Sequence, residues 1–330
     1  MPTSRNSLRA ASATTLGMAG AALLLAVLNK IINEYAPSPQ APLGVEPQRF
    51  AWTEGDISYS VAGHGPAIIL LHGIYAGASS FEFRRVFDSL STHFRVFAPD
   101  LPGFGLSVRE PRMYHPDLYV DFIHDFTRQV AGGTDHPIML VASSLTCAFA
   151  IEAAADRPHL FDRIVLIEPA GIRELARRPS VGQQLLGGLL RTPIIGDTLY
   201  NALVSRSGLR YFLGNQVYLK RDEVTDDLID AYYAISHQPN ARYAAASFIG
   251  GMLNLDIAEV FELLPQPILL CWGRKARLSP LEHAEAFLER NDNAELAIFD
   301  HSSALPHDEE ADDFIAQVTS WINSHTTTRR

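Results

Sequence analysis

Residues 138–158 read Ile-Met-Leu-Val-Ala-Ser-Ser-Leu-Thr-Cys-Ala-Phe-Ala-Ile-Glu-Ala-Ala-Ala-Asp-Arg-Pro. The first five form a continuous apolar run of strand length. A strand apolar throughout, rather than alternating, is expected where a parallel sheet is covered on both faces. The alanine-rich stretch 148–156 predicts a helix, since alanine has the highest helix propensity, and Pro158 cannot continue it. Ser143 and Ser144 fall between the two, at the carboxyl end of the strand. In open α/β sheets that end is where ligands bind.

The same reading extends in both directions. Apolar runs at 67–71, 94–98, 164–167, 268–272 and 296–299 are also continuous, with helical patterns between them. Over 312–322, Phe314, Ile315, Val318 and Ile322 recur at the spacing of one helix face. Such alternation builds an α/β fold with a mostly parallel, doubly wound sheet and right-handed crossovers. The interval 168–267 is far longer than one crossover needs, and 181–190, 222–234 and 243–253 within it read as helices. The expected division is an N-terminal apolar helix and Pro-rich linker over 1–48, a core over 49–170 and 264–325, and a helical cap over 171–263.

A net charge of −10, with no basic stripe, argues against nucleic acid as a partner, because phosphate binding needs clustered Lys and Arg. Cys147 and Cys271 stand in apolar runs and read as small buried hydrophobes, not as a disulfide framework. No zinc-ligand spacing occurs, so no metal is expected. No cofactor is expected either, since Gly103 and Gly105 match only part of a dinucleotide loop.

Arg5 and Arg9 precede an uncharged stretch whose strongly apolar part is 16–28; Lys30 and Glu34 close it, and Pro37, Pro39 and Pro42 follow. Crossing a bilayer takes about 20 apolar residues, so this length is marginal. The reading favoured is membrane association through this single segment, a signal anchor with a cytoplasmic N-terminus. The alternatives are a cleaved signal, against which Pro39 follows the small pair Ala36 and Ser38, and a helix packed on a soluble protein's own surface.

Three phrases, in this order, resemble the α/β-hydrolase superfamily. Leu71-His72-Gly73-Ile74 ends a strand, and in the family this turn gives a backbone N–H to the oxyanion hole. Residues 98–107, Ala-Pro-Asp-Leu-Pro-Gly-Phe-Gly-Leu-Ser, are similar to the tight loop after the next strand. Residues 138–158 are similar to the family's strand, nucleophile elbow and helix. The resemblance covers about 50–325 and is nearest, by overall pattern, to capped esterases, epoxide hydrolases and haloalkane dehalogenases. It implies an α/β-hydrolase fold with a nucleophile on the elbow. The usual elbow is Gly-x-Ser-x-Gly; here it reads Ala142-Ser143-Ser144-Leu145-Thr146. The spacing to Glu152 and Pro158 puts Ser144 in register. Ile74 and Leu145 would supply the oxyanion N–H groups. Thr146, β-branched where the family has glycine, suggests a less strained turn.

The resemblance also exposes two losses. Trp272-Gly273-Arg274-Lys275-Ala276 is similar to the family's Trp-Gly-x-x-Asp, and Ser303-Ala304-Leu305-Pro306-His307-Asp308-Glu309 to its Gly-His-x-Pro-His-x-Glu. The acid and base positions are therefore Ala276 and Ala304. Glu168, directly after an earlier strand as in some dehalogenases, is the substitute acid; its plainer role is capping the turn into Pro169. His301, after the last strand, is the first choice of substitute base. His307 is similar to the family's second histidine, usually structural, and His72 also reads as structural.

Two functions remain open. One is hydrolysis of an ester or similar small apolar substrate by a non-standard triad of Ser144, Glu168 and His301. The other is a catalytically inactive relative that binds a ligand or partner at a membrane. A serine without a base holds almost no alkoxide. Losing the base costs about 10⁶ in turnover, while the oxyanion hole and binding keep roughly 10³–10⁴ over water. The deciding observation is whether a histidine nitrogen comes within hydrogen-bond reach of the Ser144 hydroxyl. Tyr211, Phe212, Tyr232, Tyr233, Phe248 and Met252 either line an apolar pocket under the cap or form the cap's own core.

Overall fold

A computed structural model describes residues 4–133 and 136–325, with backbone alone over 4–18. Eight strands, β1 (Gln48–Trp52), β2 (Gly55–Ala62), β3 (Ala67–Leu71), β4 (Arg95–Pro99), β5 (Ile138–Ser143), β6 (Phe161–Ile167), β7 (Ile268–Gly273) and β8 (Ala294–Phe299), form one sheet in the order β1-β2-β4-β3-β5-β6-β7-β8. From β4 to β8 the strands pair in parallel. Along β3, Ile69 and Leu71 enter one apolar core and Ile68 and Leu70 the other. Burial on both faces is why these runs are unbroken in sequence. All six apolar runs are strands. The antiparallel pair β1 and β2 lies outside that signature, and turns through Gly55 at φ +119°.

Six helices matter for the site. α1 (Ser4–Glu34) opens the chain and α2 (Thr146–Asp156) follows the elbow. α3 (Val181–Arg191), α4 (Ile195–Leu203) and α5 (Asp226–Ser236) lie between β6 and β7, and α6 (Ala311–Ser324) returns to the sheet with Phe314, Val318, Trp321 and Ile322 buried. The segment between β6 and β7 reaches the core with Ala244 and Leu253, and Tyr232 of α5 meets the turn after β3. Its ring stacks on Tyr75 at 6.0 Å and lies edge-on to Phe81 at 6.3 Å. Tyr232 is buried there, whereas Tyr211 is exposed, so the aromatic residues of this segment do not share one role.

α1 packs on α4. The Asn29 amide donates to the Ile194 carbonyl at 3.0 Å and to the Thr198 hydroxyl at 2.9 Å, and accepts from Asn201 at 3.2 Å. Among the described residues no helix is long and apolar enough to cross a membrane. The run 16–28 is too short, and Asn29 directly after it is buried against protein.

Candidate active site

β5 ends at Ser143, and Ser144 turns the chain with φ +54°. A non-glycine residue in the left-handed region costs roughly 1–2 kcal/mol and persists only where its surroundings hold it. Here the Ser144 N–H donates to the Ile167 carbonyl of β6 at 2.8 Å, and its own carbonyl accepts from Cys147 N–H at 3.1 Å. Thr146 does not relax the turn as its bulk suggested. Its hydroxyl donates to the His72 carbonyl at 2.6 Å, tying the start of α2 to the turn after β3. Ser143 is buried in the strand, while Ser144 is partly open.

The turn after β3 touches the elbow. A Cβ on Gly73 would sit 3.4 Å from the Ser144 Cβ, 3.4 Å from a Glu82 carboxylate oxygen and 3.2 Å from the Tyr75 ring. A side chain there would press on the Tyr75 ring, so glycine lets the turn lie close against the elbow. His72 is structural: its Nε2 accepts the Leu101 N–H at 3.0 Å, leaving Nδ1 to donate to the Gly73 carbonyl at 2.8 Å. Burial pulls its pKa down, so the ring stays neutral against the opposing pull of Asp100 and Glu82. Ile74 and Leu145 are buried. Among the described residues their N–H groups have no intramolecular acceptor, an uncommon state for buried amides.

Glu82 was not legible as a site residue. It is fully buried and accepts from the Gly73 N–H at 3.0 Å and the Tyr75 hydroxyl at 2.7 Å. His307 Nε2 lies 3.3 Å from its other oxygen, an ion-pair contact not aligned as a hydrogen bond. Burial alone would raise the Glu82 pKa; His307, the Ser143 hydroxyl and His72 outweigh it and hold the carboxyl down at about 2. The one available signal was a carboxylate between two aromatics, Phe81-Glu82-Phe83, shortly after the His-Gly turn. Tyr75 reaches on to the Tyr232 hydroxyl at 3.2 Å. Burial, reinforced by Glu82, pushes the Tyr75 phenol well above its usual pKa, so it acts as a donor.

The acid and base positions are as empty as the sequence states. Ala276 closes the turn after β7, with its N–H on the Gly273 carbonyl at 3.2 Å. Ala304 packs against the cluster that holds Tyr232 and Leu305. Glu168, at φ +44°, is buried beside β7 and accepts the Gly273 N–H at 3.2 Å. Burial raises its pKa well above the carboxylate range, and Glu309 adds repulsion. His301 stands exposed, its backbone N–H on Glu310 at 2.8 Å. The structure therefore does not bring His301 to Ser144, because the turn after β8 presents its side chain to solvent. His307 is buried between Phe83 and Phe314, beside Glu82. Among the described residues no histidine is hydrogen-bonded to the Ser144 hydroxyl. A cleft of about 590 Å³ lies between residues 37–42, Phe81, Arg84 and α5; Ser144 does not line it.

A serine on a strained strand-to-helix turn, at the carboxyl edge of a parallel sheet and against a His-Gly turn, defines the α/β-hydrolase class. Residues 68–318 match the Alpha/beta hydrolase family, and the chain belongs to it. It is similar to an uncharacterised protein of Mycobacterium tuberculosis, 27% identical over 281 residues, covering 81% of this chain and 78% of that protein. It is also 26% identical to 2-hydroxy-6-oxo-6-(2'-aminophenyl)hexa-2,4-dienoic acid hydrolase of Metapseudomonas resinovorans, over 84% of this chain and 91% of the enzyme. Among solved structures, a serine hydrolase involved in carbazole degradation shares the fold, with a TM-score of 0.70, 23% identity and coverage of 84% and 98%.

Proposed function

We propose that the protein is a hydrolase of small apolar carbonyl compounds, esters or similar acyl substrates, in which Ser144 is the attacking residue. The observation that carries this is the φ +54° turn at Ser144, packed against Gly73 and flanked by the two buried, unpaired N–H groups of Ile74 and Leu145. Donors fixed where negative charge develops favour the tetrahedral state over the ground state. Without a histidine on the serine, turnover is confined to substrates with good leaving groups, where the oxyanion site supplies most of the acceleration. Relatives named as hydrolases of 2-hydroxy-6-oxo dienoic acids, and one named Pyrrolizixenacetamide deacetylase, fit a carbonyl-polarising site.

The competing reading is a ligand-binding relative without turnover. It is favoured by the absence of any histidine on the Ser144 hydroxyl. Turnover of aryl esters and fluorophosphonate labelling by wild type and Ser144→Ala separate the two. Slow hydrolysis and labelling, both abolished in Ser144→Ala, support the hydrolase. An inert wild type leaves the binding protein.

A further inference from the structure

Surface helices ordinarily bury their apolar stripe and face water with the polar one. Three adjoining helices here also turn apolar residues to water. α3 exposes Leu185 and Leu189, α4 exposes Leu199 and Leu203, and α1 exposes Val27 and Ile31. Each set repeats at one-turn spacing, so each is a stripe. Leu185 is 69% exposed. The helices adjoin: Asn29 of α1 bonds Thr198 and Asn201 of α4, and Leu190 of α3 packs with Tyr200 of α4. Soluble monomers rarely expose so much apolar surface together unless something covers it.

The charge around this face identifies the cover. Residues 19–34 and 172–204 hold five basic and three acidic residues, in a chain whose net charge is −10. All three acids are already paired: Glu34 with Lys30, Asp197 with Arg242 and Glu174 with His283. Arg173, Arg177 and Arg178, leading into α3, are exposed, and among the described residues they have no carboxylate partner. A second copy of this chain would bring like charges together across a two-fold interface. A layer of anionic headgroups over acyl chains matches both the apolar stripes and the unpaired arginines.

We propose that the face built by α1, α3 and α4 docks on an anionic lipid surface, so that the protein lies in the interface without spanning the bilayer. The proposal is independent of whether Ser144 turns over a substrate, and it assigns the main lipid contact to α3 and α4 rather than to α1 alone.

The test is flotation of the full chain with vesicles of phosphatidylcholine, and of phosphatidylcholine mixed with phosphatidylglycerol. Binding is expected to the mixed vesicles, weakened on the order of tenfold by Leu185→Glu/Leu199→Glu and by Arg177→Glu/Arg178→Glu, and weakened by added salt. These side chains are exposed, so melting temperatures should stay near wild type. Four results overturn the proposal: no binding to mixed vesicles; equal binding to both compositions; full binding by Leu185→Glu/Leu199→Glu; or, by light scattering, a lipid-free dimer that Leu185→Glu/Leu199→Glu dissolves.

Discussion

The Glu168 carboxyl accepts the Gly273 N–H at 3.2 Å, at the end of the sheet where Ala276 and Ala304 stand in place of an acid and a base. Burial raises this carboxyl well above its usual pKa, with no cation among the causes; under the proposed function it would orient an imidazole placed at position 304. Ala304→His is therefore expected to need no second carboxylate. Activity on aryl esters should rise by about 10² or more, the usual contribution of a general base. Ser144→Ala should abolish the gain and Glu168→Gln should blunt it. If Glu168→Gln leaves the gain intact, Glu168 is not the orienting acid.

His301 is exposed and its side chain makes no bond to Ser144. His301→Ala should leave ester hydrolysis and fluorophosphonate labelling unchanged. A loss of either in this variant would restore His301 as the base.

The two buried carboxyls act on stability in opposite pH ranges. Glu82 has its pKa lowered from 4.5 to about 2, so its contribution is present above pH 4.5 and is lost as pH falls through about 2. That contribution is roughly 3 kcal/mol by linkage. Glu168 has its pKa raised, so the folded state holds a proton the unfolded chain releases, and stability falls as pH rises above the unfolded carboxyl's pKa. Thermal melts from about pH 2 to pH 9 check both. Glu168→Gln should flatten the alkaline side and Glu82→Gln the acid side. A melting profile unaltered by Glu168→Gln would contradict the assignment.

Ser144 stores backbone strain. Ser144→Gly removes it and Ser144→Ala does not. Both lose the nucleophile, yet Ser144→Gly should be the more stable by about 1 kcal/mol, as read from denaturant midpoints at constant slope. Equal midpoints would place the turn outside the left-handed region in solution.

Thr146→Val keeps the shape of the side chain but leaves the buried His72 carbonyl without its donor. The expected cost is about 1–3 kcal/mol, with a larger loss of esterase activity than Thr146→Ser, which retains the bond. Thr146→Val behaving like wild type in both measurements would remove the clamp from the account.

The sheet was legible because parallel strands buried on both faces leave unbroken apolar runs such as Leu140 and Val141 beside Ile164 and Val165. β1 and β2 were not, since an antiparallel edge pair alternates and its hairpin resembles a loop. Ser144, Ala276 and Ala304 were marked by the resemblance of three phrases to the family's motifs. Glu82 was not: its partners Gly73 and Tyr75, in the turn after β3, and His307, far along the chain, are brought to it only by the fold. The outward stripes of α3 and α4 escaped for a related reason. Periodicity reveals a stripe and says nothing of which way it faces.

The bond between Thr146 and His72 has one more consequence. Ile74 and Leu145 belong to segments far apart in the chain, yet this hydroxyl fastens their supports to each other at a point beside both. Under the proposed function, the placing of their N–H groups is set by folding itself, not by the arrival of a guest, and little motional freedom is left to surrender there on binding.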